Sequence, residues 1–192
     1  MQLVLSNIIA VFATWFPNIY RDYVALMVRL ADHYPDFEPP IRGSVFAAHS
    51  GNARRAMTYL HLDEMNKAGG ICPIICIGDF DPKKGGHLVL PQLGIVIEFP
   101  PGSIILIPSA TLVHGNVAIE KHEQRESMTL YTAGGLFRWV KYGFQSEKDF
   151  KVKDPEGWAA ELKDRAGRWQ REISKFSTVD SVAADRLRPL VV

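Results

Sequence analysis

Ile95-Val96-Ile97-Glu98-Phe99-Pro100-Pro101-Gly102-Ser103-Ile104-Ile105-Leu106-Ile107 is the stretch that decides the fold class. Ile95, Ile97 and Phe99 recur at the two-residue step of a half-buried strand. Pro100–Gly102 is a turn, and Ile104–Ile107 is apolar on both faces, as an inner strand is. The same texture extends outward from Ile41 to about Gly143, where short apolar runs are broken by Gly, Pro, Asp and Asn. It predicts strands at Ser44–Ala48, Met57–Leu62, Ile71–Ile77, His87–Leu90, Ile95–Phe99, Ile104–Ile107, Thr111–His114, Ser127–Thr132 and Phe137–Val140, with a second strong turn over Asp79–Gly86. Many short, closely spaced strands imply a sandwich, jelly roll or barrel.

Helical patterns flank this region. Ile19, Tyr23, Leu26, Leu30 and Tyr34 recur at steps of three and four behind a candidate cap at Asn18, predicting a helix over 18–34. Pro35, Pro39 and Pro40 then make an extended linker. Asp154-Pro155-Glu156 is a helix start, and Trp158, Leu162, Ala166, Trp169, Ile173 and Phe176 form one stripe, predicting a helix over 154–176 packed on the outside of the sheet. The 192 residues are 47% hydrophobic, which suits one domain, 1–192, with its core at 44–144.

Lys and Arg number 22 and Asp and Glu 21, a formal charge of +1. That balance supplies no general field for nucleic acid or an anionic membrane, although Arg54-Arg55, Lys83-Lys84 and Lys141 could build a local groove. The apolar start, Met1–Phe16, lacks the basic residues of a signal peptide and the length of a membrane span, so it reads as an opening strand or short helix of a soluble intracellular protein of cytoplasm or nucleus. Cys72 and Cys76 are too few for a disulfide scaffold and read as buried thiols.

The chemistry sits in His61-Leu62-Asp63. On a strand, residues two apart share a face, so the imidazole and the carboxylate converge while Leu62 enters the opposite core. These are two thirds of the facial triad that holds non-haem iron(II). His114, about four strands later and just before Gly115-Asn116, is the preferred third ligand, and His87 is its competitor. His33 ends the first helix, and His49 and His122 fall in polar stretches. Arg125 and Ser127 follow His114 on one strand face, and a guanidinium with a neighbouring hydroxyl is what the far carboxylate of 2-oxoglutarate requires. Tyr59, two before His61, shares its strand face and could reach the cosubstrate. Asn66 and Asn116 are candidates for orienting ligands or substrate.

In this order, His61-x-Asp63, His114 and Arg125-x-Ser127 resemble the iron(II)- and 2-oxoglutarate-dependent dioxygenase superfamily. Longer blocks extend the likeness. They are Phe46-Ala47-Ala48, Asn52, Asn66, Gly78 to Leu88, Phe99-Pro100-Pro101-Gly102-Ser103, Pro108-Ser109-Ala110, Gly115-Asn116 and Tyr131 to Trp139. Together they resemble fungal, mushroom-type proteins with a Tet-like or prolyl-hydroxylase-like oxygenase domain. The resemblance covers residues 44 to 144 and implies a double-stranded β-helix, a cupin-like jelly roll with flanking helices. It implies Fe(II) and 2-oxoglutarate as cofactors, O2 as co-reactant, and release of succinate and CO2. A short Asp63-to-His114 interval and two cysteines set the chain apart from DNA-oxidising Tet proteins, which carry added segments. A modified nucleobase, a peptide side chain and a small metabolite all stay open as substrate. A metal-binding cupin-like protein without 2-oxoglutarate turnover, a degenerate binding module and a zinc hydrolase are the competing classes.

Overall fold

A computed structural model describes residues 2–189. The chain forms two compact units: residues 48–132, and residues 1–47 together with 133–192.

Unit 48–132 is strand, turn and loop with one short 3-10 helix at Pro91–Leu93. Its strands are β1 (Ala48–Asn52), β2 (Cys72–Asp79), β3 (Leu88–Leu90), β4 (Ile95–Ile97), β5 (Ile104–Ile107), β6 (Gly115–Asn116) and β7 (Gln124–Tyr131). They make two sheets, one in the order β1-β7-β2-β5 and one in the order β4-β3-β6. Every named pairing is antiparallel. Apolar side chains of both sheets, among them Cys76, Leu88 and Ile107, share one core cluster with Phe99 of the connecting loop. The Pro100–Gly102 turn carries the chain from one sheet to the other. Both strands that flank it are therefore edge strands. Ile104–Ile107 is not an inner strand: β5 closes the four-stranded sheet and Ile104 stays exposed.

Four predicted strands are absent: three are loop or turn and the fourth, Phe137–Val140, is helical. Ser44, Val45 and Phe46 are buried but loop-like, with the Ser44 hydroxyl accepting from Phe46 N at 2.9 Å, and the strand begins only at Ala48. Met57–Leu62 forms no ladder. It is pinned at two places, where Thr58 N donates to Asn116 Oδ1 and where His61 bridges His114. Thr111–His114 is mainly turn, closed by Leu112 N donating to Pro108 O at 2.9 Å, and the strand starts after it.

The other unit is helical: α1 (Gln2–Trp15), α2 (Pro17–His33), α3 (Gly134–Lys141), α4 (Glu147–Lys153), α5 (Pro155–Arg165), α6 (Arg168–Ile173) and α7 (Val182–Arg186). On α2 the buried face is Ile19, Tyr23, Leu26 and Leu30. Phe16 and Pro17, rather than Asn18, start this helix, and Tyr34 ends it as the C-cap. Phe12 stacks on Phe46 and meets the edge of Tyr23, each at 5.3 Å between centroids. Phe137–Val140 lies inside helix α3, because Leu136, Phe137 and Val140 repeat at helical spacing and pack with Leu26 and Leu30.

The predicted helix over 154–176 is two short ones, broken at Gly167. Asp154 does cap α5, accepting from Gly157 N. The expected core stripe is not one, since Leu162, Trp169 and Ile173 are about half exposed. The buried residue of α5 is Glu161, which receives Lys141, Arg168 and the Tyr142 hydroxyl. No helix of the described residues is long and apolar enough to cross a membrane.

Candidate metal centre

One face of the four-stranded sheet floors a cleft of about 640 Å³ within unit 48–132. Strand register explains its lining. On β7 the two-residue period from Arg125 brings Ser127, Thr129 and Tyr131 to the cleft, and Asn52 and Ser50 of β1 stand opposite Ser127 and Thr129. Sequence reasoning stopped at Ser127, although the same period in the sequence points on to Thr129 and Tyr131.

Against this floor stand His61, Asp63 and His114, whose candidate ligand atoms all lie within 4.8 Å of one another. The backbone sets their meeting. His61 N donates to His114 O at 3.0 Å and His114 N donates back to His61 O at 3.1 Å. Residues paired this way point to the same face, and the two rings are 4.3 Å apart between centroids. Asp63 reaches them from the turn that follows, not from a shared strand. Leu62 accordingly lines the same cleft instead of entering an opposite core.

The tautomers follow from the partners. Nδ1 of His61 lies 2.9 Å from Tyr59 O and Nδ1 of His114 lies 2.9 Å from Leu112 O. A carbonyl only accepts, so each Nδ1 carries a proton, which leaves each Nε2 as the nitrogen whose lone pair a metal would take. These Nε2 atoms lie 3.3 Å and 4.0 Å from the Asp63 carboxylate oxygens. Burial pulls the His114 imidazole below its ordinary value, with the nearby His61 adding to the effect and the Leu112 carbonyl and Asp63 opposing it. Two neutral imidazoles and one carboxylate are a donor set for a divalent first-row metal.

Asp63 is itself held. Asn66 Nδ2 donates to Asp63 Oδ2 at 3.2 Å and to Ser109 Oγ at 3.2 Å, while Asp63 N donates to Ser109 O at 3.0 Å. Sequence reasoning did not single out Ser109 as a site residue. Cys72 lies outside the cluster, and burial pushes its thiol up to about 12, the Ser109 hydroxyl offsetting part of the rise.

Arg125 is 2% exposed, yet it lines the cleft. Its Nη1 donates to Ala56 O at 3.2 Å, and among the described residues its Nε has no hydrogen-bond partner. Burial draws the guanidinium below its ordinary value, and the neighbour that opposes this is the Cys76 thiol, not a carboxylate. Gly78 stands opposite Arg125 with φ +137, and a Cβ there would lie 2.3 Å from Gln124 O and 2.9 Å from Arg125 Cα. The strand pair at Arg125 therefore accepts no side chain on its neighbour. Asn116 lines the cleft too, but its side chain is committed to Thr58 N, Ala56 O and Val117 O.

Two expected residues are not brought to the cleft. Tyr59 is 81% exposed and does not line it, since Met57–Leu62 is not a strand on which residues 59 and 61 share a face. His87 also lies outside the lining, although its neighbour Leu88 belongs to it. His49 and His122 are exposed, and His33 stacks on Phe144 at 3.6 Å.

No family model matches the sequence, and no curated protein matches it significantly. Among solved structures, the chain is similar to NgTET1 in complex with 5mC DNA, at a TM-score of 0.44 and 12% identity over 67% of this chain and 53% of that one. It is also similar to the viral collagen prolyl hydroxylase vCPH from Paramecium Bursaria Chlorella virus-1. The 2OG complex of that protein aligns at a TM-score of 0.33 and 14% identity, over 45% of this chain and 62% of that one. A truncated form aligns at 0.34 and 13%, over 58% and 84%. The chain spans about half the length of the NgTET1 chain.

Proposed function

We propose that the protein is an iron(II)- and 2-oxoglutarate-dependent dioxygenase and that unit 48–132 is its double-stranded β-helix. The observation that carries this reading is one cleft holding both a two-imidazole, one-carboxylate cluster and a buried guanidinium that, among the described residues, has no anionic partner and an unpartnered Nε. A buried charge is costly unless it is paired. The carboxylate at the far end of 2-oxoglutarate is an anion that fits Arg125, with the Ser127 hydroxyl beside it. When bound, ferrous iron and 2-oxoglutarate supply the oxidation of a substrate C–H bond by O2, with succinate and CO2 as co-products.

The chain's own residues act by position. His61 and His114 present neutral Nε2 atoms to the metal, and Asp63 brings one negative charge. Arg125 and Ser127 fix the distal carboxylate, and so the direction of the cosubstrate. Beside the metal cluster, Thr58, Leu62, Met65 and Asn66 line the cleft with neutral side chains, and Glu64 adds a carboxylate. Among the described residues, Arg125 is the sole Lys or Arg of that lining, which favours recognition of a neutral group over a phosphate. A modified nucleobase, a peptide side chain and a small metabolite all meet that condition.

Calorimetric titration with Mn(II), then with 2-oxoglutarate under argon, tests the proposal. The expected result is one metal per chain, abolished in His114→Ala, and cosubstrate binding that needs the metal and weakens sharply in Arg125→Ala. Normal metal binding with no response to 2-oxoglutarate would instead indicate a metal-binding cupin-like protein.

A further inference from the structure

We infer that Ser109 is a positioning residue of the metal centre, acting on Asp63 through Asn66. The inference rests on the metal-centre reading and adds to it a residue that lies outside both the ligand set and the cleft lining.

The Asn66 amide has two protons, and both are used: one goes to Asp63 Oδ2 and the other to Ser109 Oγ, each at 3.2 Å. The amide is therefore held from both sides. Oδ2, which accepts from Asn66, lies 4.0 Å from His114 Nε2, and Oδ1 lies 3.3 Å from His61 Nε2, so the amide sets how the carboxylate faces the two rings. Ser109 also accepts from Asp63 N through its carbonyl at 3.0 Å, so one residue restrains both the main chain and the side chain of the ligand. Ser109 is itself 1% exposed and fixed by a turn, with its N–H on Ile107 O at 2.9 Å. Its place in the chain matters as well. Ser109 lies between β5 and His114, on the segment that delivers the third ligand, so it ties the Asp63 turn to the His114 segment. Partners that orient a metal's ligands commonly change metal affinity by about 10–100-fold when removed.

The experiment is a double-mutant cycle read by Co(II) affinity, without 2-oxoglutarate, substrate or turnover. Ser109→Ala and Asn66→Ala should each weaken Co(II) binding by about 10–100-fold. Because Ser109 works through Asn66, the double variant should bind Co(II) no more weakly than Asn66→Ala does. Ser109→Thr, which keeps an oxygen at the same place, should restore near-wild-type affinity. If Ser109→Ala does not fold, Ser109→Gly, which also removes the hydroxyl, carries the same contrast against Ser109→Thr. Wild-type Co(II) affinity in Ser109→Ala, losses that multiply in the double variant, or equal losses in Ser109→Thr and Ser109→Gly would overturn the role of Ser109 and leave the metal centre standing. A wild-type protein that binds no Co(II) would overturn the metal centre, and the role of Ser109 with it.

Discussion

Replacing Arg125 by Met should leave the ligand-free protein at least as stable while nearly abolishing its affinity for the cosubstrate. In the ligand-free protein the guanidinium is 2% exposed, its Nη1 donates to Ala56 O, and among the described residues its Nε lacks a partner. Exchanging buried ionic groups for apolar side chains of similar volume often stabilises by about 1–4 kcal/mol. The lost hydrogen bond subtracts about 1 kcal/mol. It leaves no orphan, because Ala56 O still accepts from Asn116 Nδ2 at 3.1 Å. The net of roughly 0–3 kcal/mol leaves Tm level or raises it by up to about 12 °C in a chain of this size. The cosubstrate moves the other way. Removing one partner of a buried, hydrogen-bonded charge pair costs about 2–5 kcal/mol, from about thirtyfold to several thousandfold in Kd. Wild type should gain about 2.7 kcal/mol of stability from 2-oxoglutarate at a hundred times its Kd, and the variant almost none at the same concentration. Thermal melts of the metal-loaded proteins, with and without 2-oxoglutarate, read both effects. A variant with a lower ligand-free Tm and an unchanged cosubstrate response would refute the reasoning.

Three further outcomes are expected. His114 is held below its ordinary value of 6.5 by burial, so the unfolded chain binds the proton more readily. Stability and Mn(II) affinity should therefore be intact above about pH 6.5 and fall as the pH drops below it, as chemical denaturation and metal titration across pH 5–8 would read. Gly78→Ala forces a side chain into a φ of +137 and against the backbone of Gln124 and Arg125, a strain of about 1–3 kcal/mol, so Tm should fall by at least about 2 °C and cosubstrate affinity should fall with it. Tyr59→Ala should leave the Kd for 2-oxoglutarate within twofold of wild type, as isothermal titration would measure, since the ring faces solvent away from the cleft.

Much of the strand content was legible because β2, β3, β4, β5 and β7 are runs of apolar or alternating residues bounded by turns. Pairing was not legible. Ile104–Ile107 has the composition of an inner strand, yet the crossover at Pro100–Gly102 leaves it at an edge, and no local pattern records which sheet a strand joins. Phe137–Val140 looks extended over four residues, and only the window from Gly134 to Lys141 reveals the helical repeat. At the site, sequence order suggested the cluster of His61, Asp63 and His114, but for a geometric reason that the fold does not use. A bridge between His61 and His114 and a turn at Asp63 assemble the cluster, not one strand face. That difference explains why Leu62 lines the cleft and Tyr59 does not. Ser109 was beyond reach because its role lies in hydrogen bonds to residues distant in sequence.

If the proposed function holds, this cleft couples a metal at His61, Asp63 and His114 to 2-oxoglutarate at Arg125, and succinate release reads that coupling. Anaerobically iron-loaded protein given 2-oxoglutarate and air should form succinate even without substrate. That activity should vanish in His114→Ala and in Asp63→Ala, and should need far more cosubstrate in Arg125→Met. No succinate from iron-loaded wild type, or undiminished succinate from His114→Ala, would contradict the account.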